Sequence, residues 1–231
     1  MGPGPNCDII DRPELRDRVK VFQDRAHAGQ VLAEMLASYR GTDTIVFGIP
    51  AGGVPVGVTI ARQLELPFDV SVVSKITLPW NTEAGYGAVA FDGTVKLNQG
   101  LLPRLGLSEQ EIQEGIRKTT SKVARRVRDL RGDAPFPSLA GRSVILVDDG
   151  IASGFTMLVA IEAVRGAKAE HIVVAVPTGH SDPVDNIASK VEALYCANVR
   201  GGLRFAVADA YERWSDVSEE ELIGILADFK S

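Results

Sequence analysis

The chain has almost no cysteine. Of its 231 residues only Cys7 and Cys196 carry a thiol, and they form no Cys-x-x-Cys pair. Neither a disulfide scaffold nor a zinc site is expected, and a reducing compartment is the simplest inference. Long apolar runs are lacking too. No stretch approaches the length of a membrane span, and the N-terminus has no hydrophobic signal segment, so a cytoplasmic protein with no membrane partner is predicted. The start, Met1-Gly2-Pro3-Gly4-Pro5-Asn6, lacks the Ser/Thr of a myristoylation site. Residues 1–20 read as a flexible leader. Positive charge is also in short supply: 25 Lys and Arg stand against 30 Asp and Glu, a net charge of −5. That balance argues against a general affinity for nucleic acid and leaves room only for a local basic patch. There is no Walker A loop, no G-x-G-x-x-G, no H-E-x-x-H and no G-x-S-x-G, so the common hydrolase and dinucleotide readings have no motif to stand on.

What is present is a composition that reads as soluble and globular, 45% hydrophobic and 24% charged. The length suits one large domain, expected over 21–231. Val31, Leu32, Met35 and Leu36 fall at helical spacing within 24–39. A short buried strand follows at 44–49, a turn at Ala51-Gly52-Gly53, and a helix to about Leu64. A Val-rich strand is predicted over 69–76 and a hairpin over 87–98 with its turn at Asp92-Gly93. Ser108 with Glu111 forms a capping box for a long helix to about Arg131, and 133–138 is a Pro-containing connector. Further strands are expected at 143–147, at 172–176 up to Pro177, and at 193–197. Helices start near Gly154, at Ser181-Asp182-Pro183 and after Ser218. Strands alternating with helices imply a doubly wound, mainly parallel five-stranded sheet in the order 2-1-3-4-5, with the first and third strands flanking the crevice.

The most telling stretch is 143–156. Five apolar residues end in Asp148 and Asp149, and Gly150, Ile151, Ala152, Ser153, Gly154, Phe155 and Thr156 lead into a helix. Carboxylates at a strand end accept hydrogen bonds from sugar hydroxyls and can help hold a hydrated Mg²⁺. The glycines let the backbone approach a ligand closely, and the helix N-terminus favours an anion. The plain alternative is a helix cap, which needs one acid rather than two.

This stretch resembles the phosphoribosyl-diphosphate (PRPP) signature of the type I phosphoribosyltransferases, matched residue by residue over 143–156. The resemblance implies that Asp148 and Asp149 bind the ribose 2′ and 3′ hydroxyls, Asp149 also ordering metal-bound water, and that Ile151 to Thr156 wrap the 5′-phosphate. It implies that Ala51, Gly52 and Gly53 contact the diphosphate through the backbone. Many relatives carry a basic residue where Ala51 stands, so charge must come from elsewhere. Lys75 at the end of the second strand is the candidate supplier, the alternative being a snorkelling surface lysine. The segment 78–89, with Pro79-x-Asn81-x-Glu83 ahead of Gly87-Ala88-Val89, is similar to a branch of that superfamily with no assigned acceptor. The similarity runs from about Val21 to Leu226 and includes 205–207 and Tyr211.

In such folds about 77–138 would form a flap or insert, and a small hood would complete the domain. Trp80, Glu83, Tyr86 and His180 are then candidate acceptor or flap residues, each with a plain packing alternative. The long helix carries Arg117, Lys118, Lys122, Arg125, Arg126, Arg128 and Arg131 behind Glu109, Glu111 and Glu114. That order complements the helix dipole and needs no nucleic acid. The implied activity is Mg²⁺-dependent transfer of a 5-phosphoribosyl group from PRPP to a nitrogenous acceptor, a nucleobase or similar heterocycle, by a homodimer. Two other readings stand beside it: a PRPP- or nucleotide-sensing regulator without turnover, with the basic helix 117–131 as a nucleic-acid contact, and a binder of some other sugar phosphate. All of them require the two acids to face one pocket rather than lie locked in internal ion pairs.

Overall fold

The strand that carries the acids sits at the middle of the molecule, and its neighbours explain why it is apolar throughout. A computed structural model describes residues 8–230; Cys7 and the leading residues lie outside that set. In chain order the elements are β1 (Ile9–Ile10), α1 (Arg25–Met35), β2 (Ile45–Gly48), α2 (Gly53–Leu64), β3 (Phe68–Val70), β4 (Val73–Leu78), β5 (Asn81–Ala90), β6 (Val95–Leu97) and α3 (Glu109–Arg131). There follow β7 (Ser143–Val147), α4 (Phe155–Gly166), β8 (His171–His180), α5 (Ser181–Ala188), β9 (Ala193–Arg200) and α6 (Glu219–Lys230). The main sheet runs β1-β9-β8-β7-β2-β3, every pair parallel. Alternate residues serve opposite faces. Val46, Ile145 and Val147 pack on α1 and α2, whereas Phe47, Val144 and Leu146 pack on α4 and α5. With helices on both sides, every strand position must be apolar. No helix among the described residues is long and apolar enough to cross a membrane.

The predicted order of five strands is observed as β3-β2-β7-β8-β9, but a sixth strand lies beyond it. Ile9 and Ile10 pair with Leu194 and Tyr195, so the stretch expected as a leader supplies the edge of the sheet. The Asn198 amide further fixes that stretch by donating to the carbonyls of Leu15 and Arg18. The predicted strand over 69–76 divides in two. Its first part pairs with β2, which ends at Gly48, and the Ser71 amide bonds the Gly48 carbonyl as the last rung. With no neighbour beyond that point, the chain turns away and β4 pairs with β5 instead. Pro177 does not end β8, which continues to His180; the missing donor costs a single ladder bond.

β4, β5 and β6 form a separate antiparallel sheet, its tight turn at Asp92-Gly93 as expected, with Gly93 at φ +88°. The capping box Ser108/Glu111 opens α3, and Ser218 caps α6 through the Glu221 amide. An aromatic stack joins the small sheet to the large one. Phe136, from the connector, lies parallel to Phe91 at 4.4 Å and to Phe47 at 5.5 Å, with the Arg131 guanidinium 4.9 Å above it. Arg131 in turn makes a two-pronged bond to Asp69 at 2.9 and 2.8 Å. Phe91 directly follows β5, the strand that pairs with β4 and its Lys75, so the stack braces the small sheet at that end. Phe136→Ala should cost about 3 kcal/mol of unfolding free energy, read by urea denaturation; a loss under about 1 kcal/mol would show that the stack is not what seats the small sheet.

Candidate active site

Asp148 and Asp149 follow directly on β7, at the end where its register partners are Gly48 of β2 and Ala175 of β8. They are half-buried residues at the meeting point of two adjoining cavities. One, of about 260 Å³, is lined by residues 148–157 with Lys75, Val207 and Trp214. The other, of about 320 Å³, is bounded by residues 49–52, Lys75, Lys122 and Arg126 together with the two acids.

The close approach of the loop after β2 depends on having no side chains. A Cβ on Gly52 would lie 1.7 Å from Asp149 Oδ2, and one on Gly53 would lie 2.4 Å from the Val147 carbonyl oxygen. These glycines therefore do more than face a ligand: they let α2 begin against the acid pair. The Pro50–Ala51 peptide in this loop is cis.

On the other side, Gly154 takes φ +71°, which favours glycine, and α4 starts with no side-chain cap. The first-turn amides of a helix have no partner within it, and here they border the 260 Å³ cavity. Ile151 differs from expectation. Its amide donates to the Thr178 carbonyl and its own carbonyl accepts from the His180 amide, so it ties the loop to β8 rather than offering an N–H to an anion. The Ser153 hydroxyl accepts weakly from the Phe155 amide at 3.4 Å.

The acids themselves are unequal. Asp149 Oδ2 accepts from Arg25 Nε at 2.9 Å and Nη2 at 2.8 Å, with both side chains largely enclosed (12% exposed for Arg25, 15% for Asp149). Asp148 forms no ion pair within 4 Å of a described residue, and its Oδ1 accepts the Asp149 amide at 2.9 Å. The requirement of two unpaired acids thus holds for Asp148 and not for Asp149. Arg25 engages only one carboxylate oxygen of Asp149, and both acids still border the cavities.

Burial pushes the Asp148 carboxyl well above the usual aspartate range, the neighbouring Asp149 charge adds to this, and Lys75 opposes it. Burial also raises Asp149, with Arg25 opposing. Of the two, Asp148 is therefore the one pushed further toward its protonated form.

Arg25 and Trp214 escaped the sequence reading. Arg25 is the first residue of α1, where a cation opposes the helix dipole; that misplacement was the available signal. Its guanidinium lies 4.0 Å from the Trp214 ring centroid and donates to the Ser215 carbonyl. Tyr211 donates its hydroxyl to the Asp149 carbonyl at 2.6 Å. Lys75 is exposed, not buried, yet it borders both cavities. Trp80, Tyr86 and His180 are not brought to the acids. Trp80 is 63% exposed on the β4–β5 turn, Tyr86 is buried beneath α3 at Gly115, and His180 bonds the Gly202 carbonyl and meets Phe205 edge-on. The Glu83 side chain lies outside the described residues.

The raised acid has a consequence for stability. The unfolded chain ionises Asp148 near the ordinary value, the folded protein only at higher pH. Between the two the folded state binds more protons, so stability falls as pH rises and is not regained above. Asp148→Asn should remove that fall and raise the neutral-pH melting temperature by roughly 2–4 °C for each kcal/mol relieved. A variant that melts below wild type at neutral pH would contradict the assignment.

The phosphoribosyl transferase domain family model matches residues 22–198. Two proteins of Mycobacterium tuberculosis strains CDC 1551 / Oshkosh and ATCC 25618 / H37Rv, each named "Putative phosphoribosyl transferase", are 35% identical over 208 residues, covering 90% of this chain and 47% of theirs. The chain thus spans about half the length of those relatives. The crystal structure of TT1426 from Thermus thermophilus superposes with a TM-score of 0.72 at 31% identity, covering 90% of this chain and 98% of that one. The chain belongs to the phosphoribosyl transferase domain family.

Proposed function

We propose that this member of the phosphoribosyl transferase domain family transfers the 5-phosphoribosyl group of PRPP to a nitrogenous acceptor, a nucleobase or related heterocycle, with release of diphosphate. One observation carries the reading: two cavities of different character meet at an acid pair. Uncapped helix amides line one side and cations the other. A pentose with a phosphate at one end and a diphosphate at the other matches that sequence of subsites.

In this reading the ribose hydroxyls donate to Asp148 and to the Asp149 oxygen that Arg25 leaves free. Arg25 acts as a positioning residue that holds the Asp149 carboxylate charged and oriented. The amides at the start of α4 take the 5′-phosphate. The acceptor enters against Val207 and Trp214, which border the same cavity.

The C1–oxygen bond breaks with its electron pair leaving on diphosphate, and the acceptor nitrogen forms the new bond to C1. Positive charge develops on the ribose ring, so the chain's tasks are positioning, exclusion of water and charge stabilisation. Asp148 and Asp149 are also the residues that would hold the water of a diphosphate-bound Mg²⁺. Among the described residues no group of three or more His, Cys, Asp or Glu is placed to hold a metal, which suits a cation that brings its own ligands. When bound, Mg²⁺ supplies Lewis-acid charge at the diphosphate oxygens.

Incubating the protein with PRPP, Mg²⁺ and a panel of heterocycles, and following diphosphate, tests the reading. Release with at least one acceptor is expected. Tight PRPP binding with no release from any acceptor would favour a sensing protein instead. Asp148→Asn should weaken PRPP binding roughly 10–100-fold through loss of charge-assisted hydrogen bonds, and unchanged binding would overturn the ribose assignment. Arg25→Gln should weaken it less and move the pH dependence of binding upward, since Asp149 loses the cation that favours its charged form; an unmoved pH profile would remove Arg25 from the site.

A further inference from the structure

The loop expected to meet the diphosphate has Ala51 at its tip and offers no charge of its own, yet the cavity beside it is not short of cations. Resting on the function proposed above, we infer that the long helix α3 supplies them: Lys122 and Arg126, with Lys75 from β4, form a three-cation cradle for the diphosphate.

Lys122 and Arg126 are four residues apart and so share one face of α3. Both border the 320 Å³ cavity, opposite Ala51 and Gly52 and next to Asp148 and Asp149. Lys75 and Lys122 have no carboxylate within ion-pair distance among the described residues. Arg126 Nε lies 2.5 Å from Glu219 Oε1 on α6, with Arg126 itself 13% exposed. Ser74, on the same wall, buries a hydroxyl oxygen with no hydrogen-bond partner.

The other cations of the helix do not border this cavity. Arg117 and Lys118 pair with Glu114, and Arg131 pairs with Asp69. What reaches the cavity is a selected part of a basic helix, facing a space that already holds two acids. A cavity walled by acids and cations suits a ligand that is itself part sugar and part polyanion, with the anion at the cationic wall.

The test is calorimetric titration of PRPP, inorganic diphosphate and ribose 5-phosphate, with Mg²⁺ present, into wild type, Lys122→Gln, Arg126→Gln and Arg125→Gln. Lys122 and Arg125 are exposed, so their changes leave the fold intact. Arg126→Gln also breaks the Glu219 pair, and its melting temperature is recorded alongside. Lys122→Gln and Arg126→Gln should each weaken PRPP and diphosphate roughly tenfold, the scale of one charge-assisted bond. Ribose 5-phosphate affinity should stay unchanged in both, and Arg125→Gln should bind all three like wild type. No loss in Lys122→Gln, or an equal loss in Arg125→Gln, would overturn the cradle while leaving the proposed function standing. A wild-type protein that binds neither PRPP nor ribose 5-phosphate would overturn the function itself.

Discussion

Two carboxylates held side by side where water is scarce repel each other, and the architecture around β7 exists in a form that tolerates this. The acids stand at the end of a strand covered by helices on both faces. Gly52 leaves the space that Asp149 occupies, Arg25 takes one of its oxygens, and the Asp149 amide serves Asp148. Each contact offsets part of the cost of burying charge. None satisfies Asp148 fully, and its carboxyl is pushed upward as a result. A group held in this unfinished state is suited to a ligand that completes it with hydroxyl donors.

The arrangement couples distant parts of the chain. Arg25 comes from the first helix, the acids from the middle of the sheet, and Tyr211 and Trp214 from the segment after β9. Lys75 stands on a separate small sheet, which the stack of Phe47, Phe136 and Phe91 joins to the main one. The site is therefore a junction of three packing units rather than a feature of one loop. Charge is graded across it, from helix amides at one end to side-chain cations at the other.

Much of this was legible in the sequence because it is local. The run 143–156 states strand, acids, turn and helix in order, and the capping box at Ser108 and Glu111 states where α3 begins. Parallel pairing fixes the strand order once the crossovers are right-handed. What could not be read depends on contacts across the chain. That Ile9 and Ile10 would form an edge strand is decided by β9, not by two isoleucines. That Arg25 would grip Asp149 needs the positions of α1 and β7 together, although a cation at a helix start was a visible anomaly. Tyr86 and Trp80 showed the reverse: aromatics in a glycine-rich segment invited a role in the site, and the fold uses one as core beneath α3 and leaves the other in solvent.

At the centre of the account is the Asp148 carboxyl, which burial beside Asp149 pushes upward in the ligand-free protein and which the hydroxyl donors of the proposed pentose phosphate would favour in its charged form. Infrared difference spectroscopy across a pH series reads it directly. The account predicts a protonated-carboxyl stretch in the free protein that is absent in Asp148→Asn, persists to higher pH than that of an ordinary aspartate, and is lost at lower pH when PRPP is added. A free protein with no such band, or a band that PRPP leaves in place, would contradict it.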